Sequence, residues 1–300
     1  MTVSAQGVTR KNLSQSTAEG HAIPSPAVTT AAEQPALHSS GGRSAQVRVQ
    51  AEETPLEGLA SICVVLVILL FIFGFIFQNF EIPSASMQDT LLIGDHVVVD
   101  RVTLSPPTHW APFVHYRPVH RGDVIVFLKP NPETPDLILV KRAIGIAGDH
   151  IHLQHGVVYL NGVAQTEPYA LQPRDDGNPE HAYTPYRDDF PTVPPAPDEQ
   201  LTAVWRENLP NHIQNGDLVV PPGKVFAMGD NRTESLDGRF WGFVPVENIE
   251  GRPLFVYWSF KTPADQEYKT TMGDRIGFML HEVTHIFADT RWARTLHVVR

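Results

Sequence analysis

The chain has 300 residues, 42% hydrophobic and 19% charged, a globular composition long enough to bury a core without metal or disulfide support. Its net charge of −10 argues against nucleic acid as a partner, because phosphate binding needs a basic surface. The single cysteine, Cys63, excludes an internal disulfide, a C-x-x-C redox pair and a zinc knuckle, and its place in an apolar run argues against a cysteine nucleophile.

Residues 1–55 show no hydrophobic period and are dominated by Ala, Ser, Thr, Gln and Gly. Such a segment buries too little to offset its ordering entropy and reads as a disordered tail; its acid-poor, Ser/Thr-rich texture also fits an organelle transit peptide. From Leu59 to Phe77 every residue except Ser61 and Gly74 is apolar, and none is charged. A helix of that length rises about 28 Å, close to the hydrocarbon thickness of a bilayer, which predicts one transmembrane helix within 56–79. Arg43 and Arg48 precede it, and no Lys or Arg lies between Gln78 and Asp100. The positive-inside rule therefore places the tail in the cytoplasm and the C-terminal bulk across the membrane.

Beyond Phe80, short alternating apolar runs predict strands at 96–99, 124–127, 137–140, 157–160, 218–220, 225–228 and 254–257. Gly-Asp pairs introduce four segments of this kind, at 94–95, 122–123, 148–149 and 216–217, and His155-Gly156 and Asn161-Gly162 read as hairpin turns. The expected fold is mainly β, an antiparallel sheet domain built from 80–162 and 213–262. Residues 163–212, rich in Pro, Asp, Tyr and Asn, read as an inserted loop-rich subdomain, and Tyr169, Tyr183, Tyr186, Phe190 and Trp205 imply that it packs. Residues 263–300 read as a partly helical extension, since Ile276, Met279, Leu280, Val283, Ile286 and Phe287 follow a helical period.

The common hydrolase and nucleotide signatures are absent: no G-x-S-x-G, S-x-x-K, P-loop or G-x-G-x-x-G occurs. Just past the apolar helix, Ser84 and Ser86 stand two apart beside Pro83, where any linker would also show Ser and Pro. A serine nucleophile needs a base. Lys141 ends the apolar run Leu137–Val140, and desolvation there would lower its pKa and free a neutral amine; a lysine merely snorkelling from a strand end is the plainer alternative. Gly229–Gly242 forms a dense polar loop between strands, of the kind that supports sites or simply carries ion pairs.

Taken together, four blocks carry a resemblance. They are P-S-A-S-M-x-x-T-L-x-x-G-D at Pro83–Asp95, R-G-D-V-I-V-F at Arg121–Phe127, K-R-A-I-G-I-A-G-D at Lys141–Asp149 and G-D-N-R-x-x-S-x-D-G-R-x-W-G-F-V at Gly229–Val244. In order and spacing, after a single apolar helix, they closely resemble bacterial type I signal peptidase (leader peptidase). The match covers about 59–160 and 215–260. The family has Gly where this chain has Ala85 and Pro where it has Asp89. The resemblance implies a serine endopeptidase with a Ser/Lys dyad that removes N-terminal signal peptides from exported preproteins. It implies Ser86 as nucleophile, Lys141 as general base, and the Ser84 hydroxyl with the Ser86 N–H as oxyanion hole. Ser235 would orient the lysine, and Asp237 and Arg239 would form a supporting ion pair. Phe80, Ile82, Met87, Leu91, Leu139 and Val140 would line shallow apolar pockets for small residues at −3 and −1. No cofactor or metal is implied. The implied setting is the bacterial inner membrane, with the N-terminus cytoplasmic and the catalytic domain outside; the partners are preprotein signal peptides, the lipid bilayer and a nearby secretion translocon.

Three alternatives stand beside this. His281-Glu282-Val283-Thr284-His285 matches H-E-x-x-H, so a membrane zinc peptidase using His281 and His285 is one, with no third ligand assigned beyond His297 as the only downstream histidine. A self-cleaving Ser/Lys protein of the SOS-repressor type is another, disfavoured by the membrane helix. The last is an inactive membrane-tethered preprotein-binding scaffold, disfavoured by the retention of Ser86, Lys141 and Ser235.

Overall fold

The computed structural model describes residues 55–106, 115–131, 133, 136–263 and 271–300. The expected disordered tail falls outside these up to residue 54. Helix α1 spans Pro55–Phe71 and continues as a π-helical turn through Ile76. Together they form 22 residues, long and apolar enough to cross a bilayer, with none of the helix buried against the protein. The helix ends earlier than the expected 56–79. Phe77–Glu81 is strand β1 instead, because it pairs along its length with β2, Gln78 opposite Val99 and Asn79 opposite Val98.

The remaining strands, in chain order, are β2 (Asp95–Asp100), β3 (Val124–Leu128), β4 (Ile138–Ile146), β5 (His150–Gln154), β6 (Val157–Leu160) and β7 (Val163–Ala164). Two short helices, α2 (Pro185–Asp188) and α3 (Ala203–Asn208), precede β8 (Ile213–Gln214), β9 (Asp217–Val219) and β10 (Lys224–Met228). A further turn of helix, α4 (Gly238–Trp241), leads to β11 (Val244–Pro245), β12 (Ile249–Ser259), α5 (Met272–Asp289) and β13 (His297–Val298).

The larger sheet runs β1-β2-β12-β3-β4-β10-β11, with β13 also on β12, and the smaller runs β7-β6-β5-β9-β8. All pairings between these strands are antiparallel. The 11-residue β12 holds the larger sheet together, pairing Gly251 with Val126 of β3 and then Arg252 with Asp100 of β2. The Gly-Asp pair recurs because each of these glycines sits at positive φ, 82 at Gly94 and 87 at Gly122, and at Gly94 a Cβ would also meet Phe260 O at 2.2 Å.

Residues 163–212 contribute both to the smaller sheet and to a buried aromatic core. Val163 and Ala164 are a strand of the smaller sheet. Tyr186, Phe190, Trp205 and Leu209 are buried with Phe226 and Phe240, and Phe190 stacks on Phe226 at 5.8 Å. The C-terminal extension likewise closes the sheet, since β13 pairs Val298 with Phe255. Two arginines beside it reach back to the segment after Ser86. Arg294 Nη2 donates to Asp95 Oδ2 at 2.5 Å and to Thr90 O at 3.0 Å, and Arg291 Nη1 donates to Ile93 O at 2.9 Å.

Candidate active site

Ser84 is extended, and Ala85–Met87 makes one turn of 3-10 helix that lifts Ser86 from the end of β1. Met87, fully buried with Ile82, Leu91, Val97 and Val126, pins the turn to the core. From the other side, Asn231 donates its N–H to Ser86 O at 3.1 Å and its side-chain amide to Ala85 O at 3.3 Å. This approach depends on Gly229: a Cβ there would lie 2.4 Å from Ser86 O and 2.3 Å from Ser235 Oγ. Asp89, where the family has Pro, sits at φ 85, a conformation that Asp tolerates and the proline ring forbids.

Lys141 lies opposite Ile125 in the β3–β4 ladder and is buried. Its Nζ is 2.6 Å from Ser86 Oγ and 3.0 Å from Val140 O. Desolvation lowers its pKa to about 8 against the upward pull of Asp237 and Asp230. The amine is therefore about half neutral near pH 8, where an ordinary lysine would be almost wholly charged. Ser84 Oγ is 3.4 Å from Ser86 Oγ, so its hydroxyl faces the same point in space.

Beside the dyad is a cleft of about 110 Å³ lined by Phe80, Ile82, Met87, Leu139 and Val140, with Ile138 and Pro83 completing its wall. Leu91 is not part of that lining. It is fully buried in the layer under Met87, because its amide closes onto Met87 O at 2.7 Å and turns the side chain into the core. Ser235 also departs from expectation. Its Oγ is buried without a hydrogen-bond partner, and Lys141 Nζ bonds instead to Ser86 and Val140.

Asp237 and Arg239 form a fully buried pair at 2.7 Å. Burial alone would raise the Asp237 pKa, but Arg239 and the N–H groups of Gly229 and Arg239 hold it below its ordinary value. The Gly229 N–H to Asp237 Oδ2 bond, 3.0 Å long, ties this pair to the glycine under Ser86.

A second buried network had no assigned role in the sequence. Arg142 grips Asp230 through Nε and Nη2 at 2.8 and 2.6 Å, and its guanidinium lies 3.8 Å above the Tyr169 ring. Thr90 Oγ1 donates to the same carboxylate at 2.5 Å. Strand alternation explains the arrangement: Lys141 points to the site, so its neighbour Arg142 points to the opposite face. An arginine next to the lysine and an aspartate in G-D-N-R were the available signals.

His281 and His285 lie on α5 with their rings stacked at 4.2 Å. Among the described residues no group of three His, Cys, Asp or Glu side chains is placed to hold a metal ion. The zinc alternative thus finds two of the ligands that its motif needs and no third.

Residues 56–258 match the family described as "Signal peptidase, peptidase S26". Signal peptidase I of Aquifex aeolicus is 31% identical over 232 residues, covering 69% of this chain and 85% of that protein. Signal peptidase I of Bacillus caldolyticus is 31% identical over 206 residues, covering 69% of this chain and 91% of its own. A solved signal peptidase I of Enterococcus faecalis V583 is 25% identical, aligned over 45% of this chain and 97% of its own with a TM-score of 0.27. With a family match across both sheets and relatives spanned over most of their length, the chain belongs to the peptidase S26 signal peptidases, as a serine peptidase that removes signal peptides.

Proposed function

We propose that Ser86 and Lys141 carry the reaction as nucleophile and general base, on preprotein signal peptides presented at a membrane surface. The 2.6 Å contact between Lys141 Nζ and Ser86 Oγ is the observation that carries this assignment. Neutral Nζ takes the Ser86 proton as Oγ attacks the carbonyl carbon of residue −1. The Ser86 N–H and the Ser84 hydroxyl donate to the resulting oxyanion. Collapse forms an ester, and the lysine ammonium returns the proton to the departing amine of the mature protein. Water, deprotonated by the same lysine, then hydrolyses the ester and frees Ser86.

Helix α1 supplies the anchor. Ser86 follows its last turn by ten residues, from Ile76, which suits a scissile bond just beyond a membrane-inserted apolar segment. The tail inside, the catalytic domain outside and a nearby translocon complete the proposed setting. Incubating purified protein in detergent with a preprotein tests the assignment. Wild type should release the mature chain and Ser86→Ala should not; equal cleavage by both would refute it.

The small cleft sets a further expectation. Its walls are the packed side chains of Ile82, Met87, Leu139 and Val140, which do not yield without strain. Replacing Ala by Phe at substrate position −1 should lower kcat/KM by at least about 100-fold, roughly 3 kcal/mol. Competition between Ala and Phe substrates measures the ratio, and comparable rates would remove the cleft from the substrate path.

A further inference from the structure

Helix α5 is docked with the wrong face outward for a soluble protein. Only Phe278, Glu282 and Asp289 of its described residues are partly sheltered. Phe278 and His281 meet Phe260 at the end of β12, at 6.2 and 5.9 Å between ring centroids. The Lys261 N–H donates to Asp289 O at 3.0 Å. Met272, Ile276, Leu280, Val283 and Phe287 form the stripe turned away from this contact, and Val283 and Phe287 are 68% and 82% exposed. A surface helix ordinarily buries its apolar stripe against the core, and an exposed patch of this size marks an interaction surface.

The position of the stripe identifies what covers it. Phe287 stacks on Trp292 at 6.2 Å, and Trp292 leads to exposed Leu296 and Val298. Val298 pairs with Phe255, which lines an apolar groove of about 420 Å³ with Phe73 and Phe77, where α1 runs into β1. Glu81, at the end of β1, is near enough to Glu282 to raise its pKa further, burial being the larger cause. Exposed apolar side chains thus recur from the end of α1 through β13 and Trp292 to α5.

We propose that α5 is a second, in-plane membrane attachment, its Ile276–Val283–Phe287 stripe sunk into the leaflet that α1 traverses. This rests on reading α1 as a membrane span. The helix carries Asp274, Glu282 and Asp289 against Arg275, so its attraction to lipid is apolar, not electrostatic, and neutral lipid suffices.

Full-length protein reconstituted into phosphatidylcholine vesicles provides the test. An environment-sensitive fluorophore is placed at native Cys63, which reports α1, or at Phe287→Cys in a Cys63→Ser background, which reports α5. A third label at Arg275→Cys, off the stripe, is the wet control. Position 287 should shift to the blue, brighten at least about twofold over position 275, and be quenched by spin-labelled lipid. A label at 287 that stays water-exposed overturns the inference whatever Cys63 reports, while a dry Cys63 leaves the span itself standing. Shielding at 287 that disappears on dilution to one protein per vesicle would assign the stripe to a second copy and also overturn it. A Val283→Glu/Phe287→Glu variant should keep the wild-type rate on a short peptide in detergent and lose at least about fivefold in kcat/KM on a preprotein embedded in the vesicles.

Discussion

Lys141→Arg is expected to lower kcat for preprotein cleavage by three to five orders of magnitude, about 4–7 kcal/mol, as deeply as Lys141→Ala. The substitution keeps the charge and much of the length. A guanidinium cannot lose its proton at usable pH, so Ser86 would lose its base while the cleft stays filled. The wild-type rate should rise with pH along an acid limb near 8, where burial has placed the lysine, and level off above it. The same burial has a sign for stability. The folded lysine, at about 8 against 10.5 when unfolded, gives up its proton more readily than the unfolded chain does. Between those values the unfolded state binds more protons, so stability should increase with pH across that window. Below about pH 8 the desolvation penalty is present in full. EDTA should leave the cleavage rate unchanged. Stopped assays across pH 6 to 10, with each variant, check all of this; substantial activity in Lys141→Arg, or inhibition by EDTA reversed by zinc, would move the chemistry elsewhere.

Arg239→Met should destabilise the protein by about 3–5 kcal/mol, lowering Tm by roughly 10 °C, because it leaves the Asp237 carboxylate buried and unpaired. Both partners are wholly shielded from water, and Asp237 also holds the Gly229 N–H. The double replacement Asp237→Leu/Arg239→Met should be less damaging than the sum of the single ones, since it removes both charges together. Thermal unfolding in detergent of the four proteins gives the coupling. Additive losses would mean that the pair is not a unit.

The contrast between what was and was not readable follows from where each interaction lies in the chain. An uncharged apolar run and period-two alternation are local, so the α1 helix and most strands of the larger sheet were legible at once. The proximity of Ser86 and Lys141 was legible only through four matching blocks, since no local pattern brings residues 86 and 141 together. The end of α1 was not, because β1 exists only by pairing with β2; that Tyr186, Phe190 and Trp205 pack was legible, but not that Phe226 and Phe240 receive them. Leu91 and Val140 look alike in sequence, yet one is beneath the cleft and the other on its wall. Arg142 and Asp230, 88 residues apart, could be joined only by the folded sheet. Helix α5 was legible as an amphipathic helix, but which face it turns to the domain is fixed by Phe260, outside the helix.

The clasp from Arg291 and Arg294 onto Ile93, Thr90 and Asp95 ties the last stretch of the chain to be synthesised to the turn after Ser86. Asp95 is wholly buried, and its partner Arg294 lies 199 residues later. Until that stretch has been made, the Asp95 carboxylate lacks its Arg294 guanidinium and the turn after Ser86 lacks both arginines. At about 5–20 residues per second, that interval lasts roughly 10–40 s. For that time the nascent chain carries Ser86 and Lys141 without the clasp. Nascent chains stalled just before Arg291 should accordingly be inactive towards a preprotein supplied in trans, and full activity in them would show that the dyad needs no clasp.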